Sequence, residues 1–575
     1  MGKFSSSQVF PFLKWLSGYK QSWLAGDLTA GITIGIMLIP QGMAYAMLAG
    51  LPPVYGLYAA IIPQLIYALF GTSRQLSVGP VAMDSLLVAA GVSVMADQGT
   101  EEYLSYVVLL ALMVGAIQVL LGLLRMGFLT NLLSKPVITG FTAAAAVIIG
   151  FNQLPHLLGL DFIKESDIYR LVVEVANNVV EIEFHALILG LVAIGLIKFL
   201  GKKDKRIPGA LIAVALGIGV VYFFKLDEAG LSTVREIPSG LPDFLLPNWD
   251  LGRVGQLVPL ALTMAIIGYM ESFSIAKALE SNKRSYKVSA NRELAALGLA
   301  NFVGAFFQSF PVAGGFSRSA VNDQSGAKTP LALVVSAGLV ALVLLFLTPV
   351  FYHLPNTILA AIIIVGVIGL VNVTYILTLF KTDKIEFSIL GFTFLLTLFT
   401  GMVMGIAGGI AVSILVLLYR AAYPHVARLG RVHGHHEFRN VRRFRNLDVW
   451  DDLIILRVDA PLEFVNIQYF KDFVENEIQK STGEVHAVII DAGPISHMDA
   501  TAVRGVHEMV EALKERGIRM VWCDLIGPVR DAIHVNGLMD VIGKENIFLD
   551  LSEAVNGLIG EGDNRYKEYA IQSNL

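Results

Sequence analysis

Cysteine is almost missing from this chain: Cys523 stands alone among 575 residues, which excludes an internal disulfide and fits reducing surroundings for the segment that carries it. Charge is scarce as well. Charged residues make up 16% of the sequence against 55% hydrophobic ones, and a mean hydropathy of +0.64 is far too high for a chain soluble throughout. Neither sign of charge dominates, and a net −4 offers no basic field to a nucleic acid, so none is expected as a partner. The opening "MGKFSSSQVFPFLKWLSGYK" lacks the apolar core and small-residue cleavage site of a secretory signal. No nucleophile, base and orienting group occur together, so an enzyme is not expected.

What the sequence has in abundance is apolar runs. Residues 104–124, 186–200, 207–224, 257–270, 331–351 and 387–418 are long enough to cross a hydrocarbon layer of about 30 Å, some of them twice. "KFLGKKDKR" (198–206), "SNKRSYK" (281–287) and "KTDK" (381–384) are rich in Lys and Arg, whereas "DQGTEEY" (97–103) and "KLDEAGLSTVREIP" (225–238) are acidic or mixed. By the positive-inside rule the first group is cytoplasmic, and with an even number of spans so are both termini. The expected location is an integral membrane one, the inner membrane in a bacterium.

Composition changes near residue 423. The stretch 424–446, "PHVARLGRVHGHHEFRNVRRFRN", reads as a basic linker suited to an anionic membrane surface. His433, His435 and His436 have neither Cys nor an acidic partner at ligand spacing, so a solvated linker is preferred to a metal site. From 451 short apolar strands alternate with amphipathic helices, the pattern of a small α/β domain.

Two places break the continuity of the membrane helices. In "SRQLSVGPVAMDSLLVAA" (73–90), Gly79 and Pro80 interrupt an apolar run; residues 76–78 are expected to be extended, with a helix from Pro80 onward, since Pro is at home in a first helical turn. In "FPVAGGFSRSAVNDQSGAK" (310–328), residues 310–315 are expected to be extended and Phe316 onward helical. Paired interruptions of this kind point to a binding site at the bilayer midplane. Helix starts there aim free N–H groups and the positive end of the helix dipole at the break, which suits an anion. The alternative is that these Gly and Pro residues only let helices approach closely.

The run "PQGMAYAMLAGLPPVYGLYAAIIPQLIYALFGTSRQLSVGPVA" (40–82) resembles a signature of the SulP family of sulfate permeases and related anion transporters, relatives of prestin and pendrin. "ANRELAALGLANFVGAFFQSFPVAGGFSRSAVNDQSGAKTPLA" (290–332) resembles a second, and "AVIIDAGPISHMDATAVRGV" (487–506) resembles the STAS domain that commonly ends such chains. The resemblance implies an α-helical membrane protein of about fourteen spans in two inverted seven-helix repeats. A core bundle (spans 1–4 and 8–11, with half-helices 3 and 10) would move against a gate bundle (5–7 and 12–14), followed by a cytoplasmic α/β STAS domain. The implied divisions are an N-terminal segment 1–22, a transport domain 23–423, the linker 424–446, a STAS domain 447–560 and a tail 561–575.

Carried over residue by residue, the resemblance implies a substrate site of Gln41 and Tyr45 from span 1, Gly79, Pro80, Val81 and Ala82 at one break, and Gly315, Phe316, Ser317 and Arg318 at the other. Arg318 would add positive potential, or else pair with Asp84 or Asp323. Glu271, a carboxylate in span 8, is implied to couple transport to protons or sodium, and intramembrane carboxylates are functional candidates in general; its structural alternative is a pair with Lys277 or a local hydroxyl. Asp84 departs from the family, which usually has an apolar residue there: either it carries a proton when substrate is bound or Arg318 neutralises it. Moving one charge across 100 mV is worth about 2.3 kcal/mol, so uptake of a divalent anion against an inside-negative potential needs coupling, and two protons cancel its charge. No resident cofactor is expected, only co-transported H+ or alternatively Na+.

The function this implies is secondary active anion transport, foremost proton-coupled sulfate symport by alternating access. Sodium-coupled bicarbonate uptake, C4-dicarboxylate transport and chloride/bicarbonate exchange use the same scaffold; a uracil or xanthine permease shares the fold without these signatures. From another class, a membrane-anchored STAS sensor is weakened by Ala500, which follows Asp499 where soluble STAS relatives carry a phosphorylatable serine; Thr501 is adjacent. Expected partners are an inorganic or small organic anion, the lipid bilayer, a second copy as a homodimer, and a cytoplasmic protein at the STAS helix over 499–510. Cys523 reads as core.

Overall fold

The computed structural model describes residues 11–131, 134–160, 168–203, 208–247, 250–282, 286–369 and 371–559. Residues 1–10 of the N-terminal segment, the tail 561–575, and residues 204–206 and 283–285 of the basic loops at 198–206 and 281–287 lie outside the described residues. The chain divides into two compact units, residues 1–413 and 414–575.

Besides the short helix Ile168–Asn177 and three 3-10 turns, fourteen helical segments run from residue 21 to residue 422 among the described residues. They are α1 (Gln21–Leu48), α2 (Val54–Phe70), α3 (Ala82–Val92), α4 (Glu101–Leu123), α5 (Lys135–Leu158), α6 (Phe184–Lys203) and α7 (Gly209–Phe224). The second set is α8 (Leu251–Asn282), α9 (Ala290–Ala305), α10 (Phe316–Gln324), α11 (Leu331–Phe346), α12 (Asn356–Thr382), α13 (Lys384–Thr400) and α14 (Met402–Ala422). Seven are long and apolar enough to cross a bilayer by themselves and four more are shorter apolar helices. Local signals set several ends: Thr100 caps α4 by accepting from the Tyr103 N–H, and Asp383 caps α13 by accepting from Ile385 and Glu386.

The packing repeats itself when each helix is exchanged for the one seven places on. The α1–α11 contact matches α8–α4, α5–α13 matches α12–α6, and α2–α11 matches α9–α4, while α2–α9 and α5–α12 map onto themselves. These pairings sort α1–α4 with α8–α11 into a core bundle and place α5, α6, α12 and α13 in a gate bundle. Small residues allow close crossings in the core: a Cβ on Gly56 of α2 would clash with the Gly42 carbonyl of α1, and one on Gly115 of α4 with the Phe302 amide nitrogen of α9. Between bundles the symmetry fails. In the first repeat α1 packs on α7 and α12, whereas α8 makes no comparable packing on α5 among the described residues.

In the second unit, β3 (Val426–Val432), β4 (Phe438–Asn440), β5 (Leu447–Asp448), β6 (Leu453–Val458), β7 (Ala487–Asp491), β8 (Arg519–Cys523) and β9 (Ile547–Phe548) form one sheet, ordered β4-β3-β6-β7-β8-β9 with β5 beside β3. Strands β6 to β9 run parallel. Apolar clusters cover both faces, one beneath α15 (Ile467–Lys480) and α16 (Ala500–Glu515). The stretch 424–446 is therefore not the linker read from its composition. It supplies β3 and β4, and its basic residues are those of an edge hairpin: Arg428 lies 3.7 Å from Glu477 and donates to the Trp450 carbonyl. His433 sits 3.0 Å from Asp448, an acidic partner the register brings in from β5.

Candidate functional site

Two-residue strands are too short to persist alone, yet β1 and β2 of the membrane unit, Val78–Gly79 and Ala313–Gly314, pair antiparallel in the core bundle. Side chains from neighbouring helices secure them. The Gly314 N–H donates to Ser272 Oγ of α8 (2.7 Å), the Val312 N–H to Asn301 Oδ1 of α9 (2.8 Å), and the Ser77 N–H to Ser319 Oγ of α10 (2.8 Å). Asn301 Nδ2 donates back to the Val312 carbonyl (3.0 Å) and to Gln118 Oε1 of α4 (3.2 Å). A buried backbone polar group left unpaired costs about 1–3 kcal/mol, so these contacts are what permits irregular backbone here. Accordingly Asn301→Leu, of similar shape, is expected to destabilise by about that amount and to loosen the crossing. A melting temperature unchanged in detergent would contradict the role assigned to Asn301.

From the ladder each chain turns straight into a helix. Helix α10 starts at Phe316, with Gly315 as N-cap. Helix α3 starts at Ala82 rather than Pro80: Val81, at φ −132° and ψ 149°, is still extended and serves as N-cap. The ladder holds Gly79 in the extended region, which a following proline also favours, and the chain uses Pro80 and Val81 to leave it. Neither helix has a side-chain cap. Helix geometry leaves the N–H groups of Ala82, Met83 and Asp84, and those of Phe316, Ser317 and Arg318, without intrahelical acceptors.

Arg318 occupies the third position of α10, and its guanidinium folds back over the start of its own helix. A Cβ on Gly315 would lie 2.7 Å from Nη2, and one on Gly79 3.6 Å from it. Gly315 thus makes room for the guanidinium, whereas a Cβ on Gly79 would meet Leu38 of α1 and the guanidinium at ordinary contact distance. Arg318 is 2% exposed, donates one long bond to Gln41 Oε1 (3.4 Å), and has no partner at Nε or Nη2. The pairs weighed against an anion role are not made among the described residues: neither Asp84 nor Asp323 reaches Arg318, and Lys277 pairs with Glu280 at 2.6 Å instead of Glu271. Gly315→Ala is expected to displace the guanidinium and weaken anion binding about tenfold or more while hardly moving the melting temperature. An unaltered affinity would show that the guanidinium's position is immaterial.

Around this centre stand the remaining residues. Tyr45, one turn beyond Gln41 on α1, brings its hydroxyl beside Gly366 of α12. Asp84 is 2% exposed, with Oδ1 unpartnered and Oδ2 against Gly268 of α8. One turn on from Gly268, Glu271 has Oε2 buried and unpartnered. Tyr45, Glu271 and Arg318 are electrostatic neighbours, as are Asp84 and Glu271. Gly79, Pro80, Val81, Ala82 and Gly315 are buried, while Phe316 and Ser317 are exposed. Phe316 and Glu271 line a cleft of about 240 Å³ with Met83, Phe141, Ile267 and Ile406, in the gap where α8 stands off from α5.

Sequence reading missed Ser272, Asn301, Gln118 and Ser319. A lone polar side chain in an apolar run was the available signal, but its partner lies on another helix. It also missed two buried carboxylates that fasten the loops flanking the breaks. Glu293 accepts from the Tyr67 hydroxyl and the Thr72 and Ser73 amides; Asp27 accepts from the Lys328 and Thr329 amides and the Thr329 hydroxyl. In the STAS unit Asp499 caps α16, accepting from Ala502 at 2.7 Å. Burial first, then nearby carboxylates, pushes the Cys523 thiol upward and keeps it protonated in the sheet. Its Sγ and one oxygen each of Asp491 and Asp524 lie within 4.8 Å of one another.

Two intertwined repeats whose half-helices start at a shared, protein-enclosed crossing define a membrane carrier. Residues 24–393 match the sulfate permease family and residues 445–554 the STAS domain. The chain is 37% identical to "Sulfate transporter 4.1, chloroplastic" of Arabidopsis thaliana, covering 99% of this chain and 84% of that one. It is 32% identical to "Probable sulfate transporter MT1781" of Mycobacterium tuberculosis, covering 93% and 96%. Its fold resembles the murine solute carrier 26 family member A9 anion transporter, solved in the inward-facing state, at a TM-score of 0.88 and 24% identity over 96% of this chain and 95% of that one. The transmembrane domain of the cyanobacterial bicarbonate transporter BicA matches at 0.59 and 22% identity, over 69% and 98%. The chain belongs to the sulfate permease family, and it is an anion transporter rather than an enzyme.

Proposed function

We propose that the protein is a proton-coupled sulfate symporter working by alternating access, the core bundle moving against the gate bundle. One observation carries this reading: Arg318 lies 2% exposed at the positive end of a helix dipole, with two nitrogens unpartnered and, among the described residues, no carboxylate in ion-pair range. A cation placed there is repelled by its own helix, and an anion seated between the two helix starts stabilises it. The sulfate transporters among its relatives support sulfate as that anion. The substrate would meet the free amides of Ala82 to Asp84 and of Phe316 to Arg318, with Gln41, Tyr45 and the Ser317 hydroxyl around it. Glu271, on the cleft wall, takes up and releases the coupling proton. The unequal packing of the two repeats across the bundles supports a carrier open on one side, since exchanging the roles of the repeats opens the other. The Lys- and Arg-rich loops favour cytoplasmic termini and a cytoplasmic STAS domain, which would mediate dimerisation or regulation.

Purified protein in liposomes, offered labelled sulfate, bicarbonate and succinate under imposed proton or sodium gradients, tests the reading. A proton gradient should drive sulfate above equilibrium. Accumulation of bicarbonate or succinate in its place, or drive by sodium alone, would replace it.

A further inference from the structure

The two helix starts at the crossing are related by the repeat, yet their third residues differ in sign: Asp84 in α3 and Arg318 in α10. Each is 2% exposed, and each has polar atoms without a partner. Two buried, opposite charges in one site would ordinarily pair; these do not. Asp84 instead turns to the bare backbone at Gly268, one turn from Glu271 on the same helix. The fixed charge in the site is thus one guanidinium, two helix starts and two carboxyl groups.

Counting them gives a result that one carboxylate alone does not. Arg318 and two helix starts of about half a charge each amount to about +2. A bound divalent anion cancels this only if both carboxyls are neutral; an empty site is balanced only if both are ionised. Any other assignment leaves net charge at membrane depth, at several kcal/mol each. Among the described residues no other ionisable group is placed to alter the sum. On α8, besides Glu271, Arg253 pairs with Glu102, Lys277 pairs with Glu280 and the Tyr269 hydroxyl donates to the Ala290 carbonyl; α1 contributes Tyr45, with Asp27 at its far end held by the 328–329 amides. In α4 the titratable residues, Glu101, Glu102, Tyr103 and Tyr106, sit in the first two turns; α5 has Lys135 and His156 near its ends, and residues 356–368 of α12 have none.

The geometry points to Asp84 as a second proton carrier beside Glu271, so that two protons accompany each divalent anion and no net charge crosses the membrane. This rests on the symport reading above and fixes its stoichiometry. On the outer side each carboxylate binds one proton as the anion enters; on the inner side both protons leave with it, and the empty carrier returns with Asp84 and Glu271 ionised against Arg318 and the helix starts. Two protons and one sulfate leave one compartment and appear in the other.

Steady-state sulfate accumulation in proteoliposomes, measured against imposed pH difference and membrane potential, tests this. One proton is worth a factor of about ten per pH unit, so the unaltered protein should give about a hundredfold per unit and ignore a potassium-diffusion potential. Asp84→Asn should give about tenfold per unit and lose about fiftyfold of its accumulation at 100 mV inside negative. Asp84→Glu should restore the two-proton slope, and Asp84→Ser replaces the amide if Asp84→Asn does not fold. A one-proton slope or dependence on potential in the unaltered protein overturns the inference even where symport holds; so does a two-proton slope in Asp84→Asn. Absence of any proton-driven sulfate accumulation in the unaltered protein overturns the symport reading itself.

Discussion

Arg318→Ala is expected to raise the KM and Kd for sulfate by about 30-fold to several thousandfold, the range of about 2–5 kcal/mol met when one member of a buried charge pair is removed. The same substitution should leave the melting temperature of the anion-free protein little changed. These outcomes belong together. Arg318 makes a single 3.4 Å bond to Gln41 and no ion pair among the described residues, and without it the nearby carboxyls of Asp84 and Glu271 can take up protons, so the empty protein loses little with it. If Arg318 were a packing residue, Arg318→Ala would lower the melting temperature and leave affinity alone. Arg318→Lys separates charge from shape: it keeps the positive potential but not the planar fork, and should recover part of the affinity. Preserved affinity in Arg318→Ala, read by calorimetry in detergent, removes the electrostatic argument for the site.

Much of this site could be read from the sequence because membrane depth makes irregular backbone rare. Gly79-Pro80 and Gly314-Gly315 stand out in apolar runs, and Arg318 stands out beside them. What the runs could not reveal was register. The helix after Pro80 starts two residues later than its chemistry suggests, since pairing of Val78 with Gly314 keeps the chain extended, and that pairing joins residues far apart in sequence. Ser272 and Asn301 were invisible for the same reason: each looks like an isolated polar residue until its carbonyl or amide partner arrives from the other segment. Composition misled at 424–446, where Arg and His crowd together in the manner of a solvated tether. The apolar residues that seat β3 between β4 and β6 are present in "VARLGRV", but the basic residues among them mask the strand.

Glu271→Gln should separate two kinds of transport that Arg318→Ala impairs together. Glutamine is neutral in every state, so the loaded carrier, in which Glu271 is protonated, is little altered. The empty carrier loses the negative charge that offsets Arg318 and the helix starts. An uncompensated charge at that depth costs several kcal/mol, and about 2.7 kcal/mol in the barrier already slows a step about a hundredfold. Net uptake, which needs the empty carrier to return, is expected to fall about a hundredfold or more; exchange of labelled for unlabelled sulfate, which never empties the site, should fall far less. The pH dependence should change as well. Proton-driven accumulation that survives in Glu271→Gln would lose about tenfold per pH unit of gradient, because one carrier of the proton is gone. Glu271 lines the cleft beside Met83 and Phe316, the route by which an exchanging proton would reach it. Were Glu271 only holding α8 in place, exchange and net uptake would decline in parallel and the slope against pH would stay as it was.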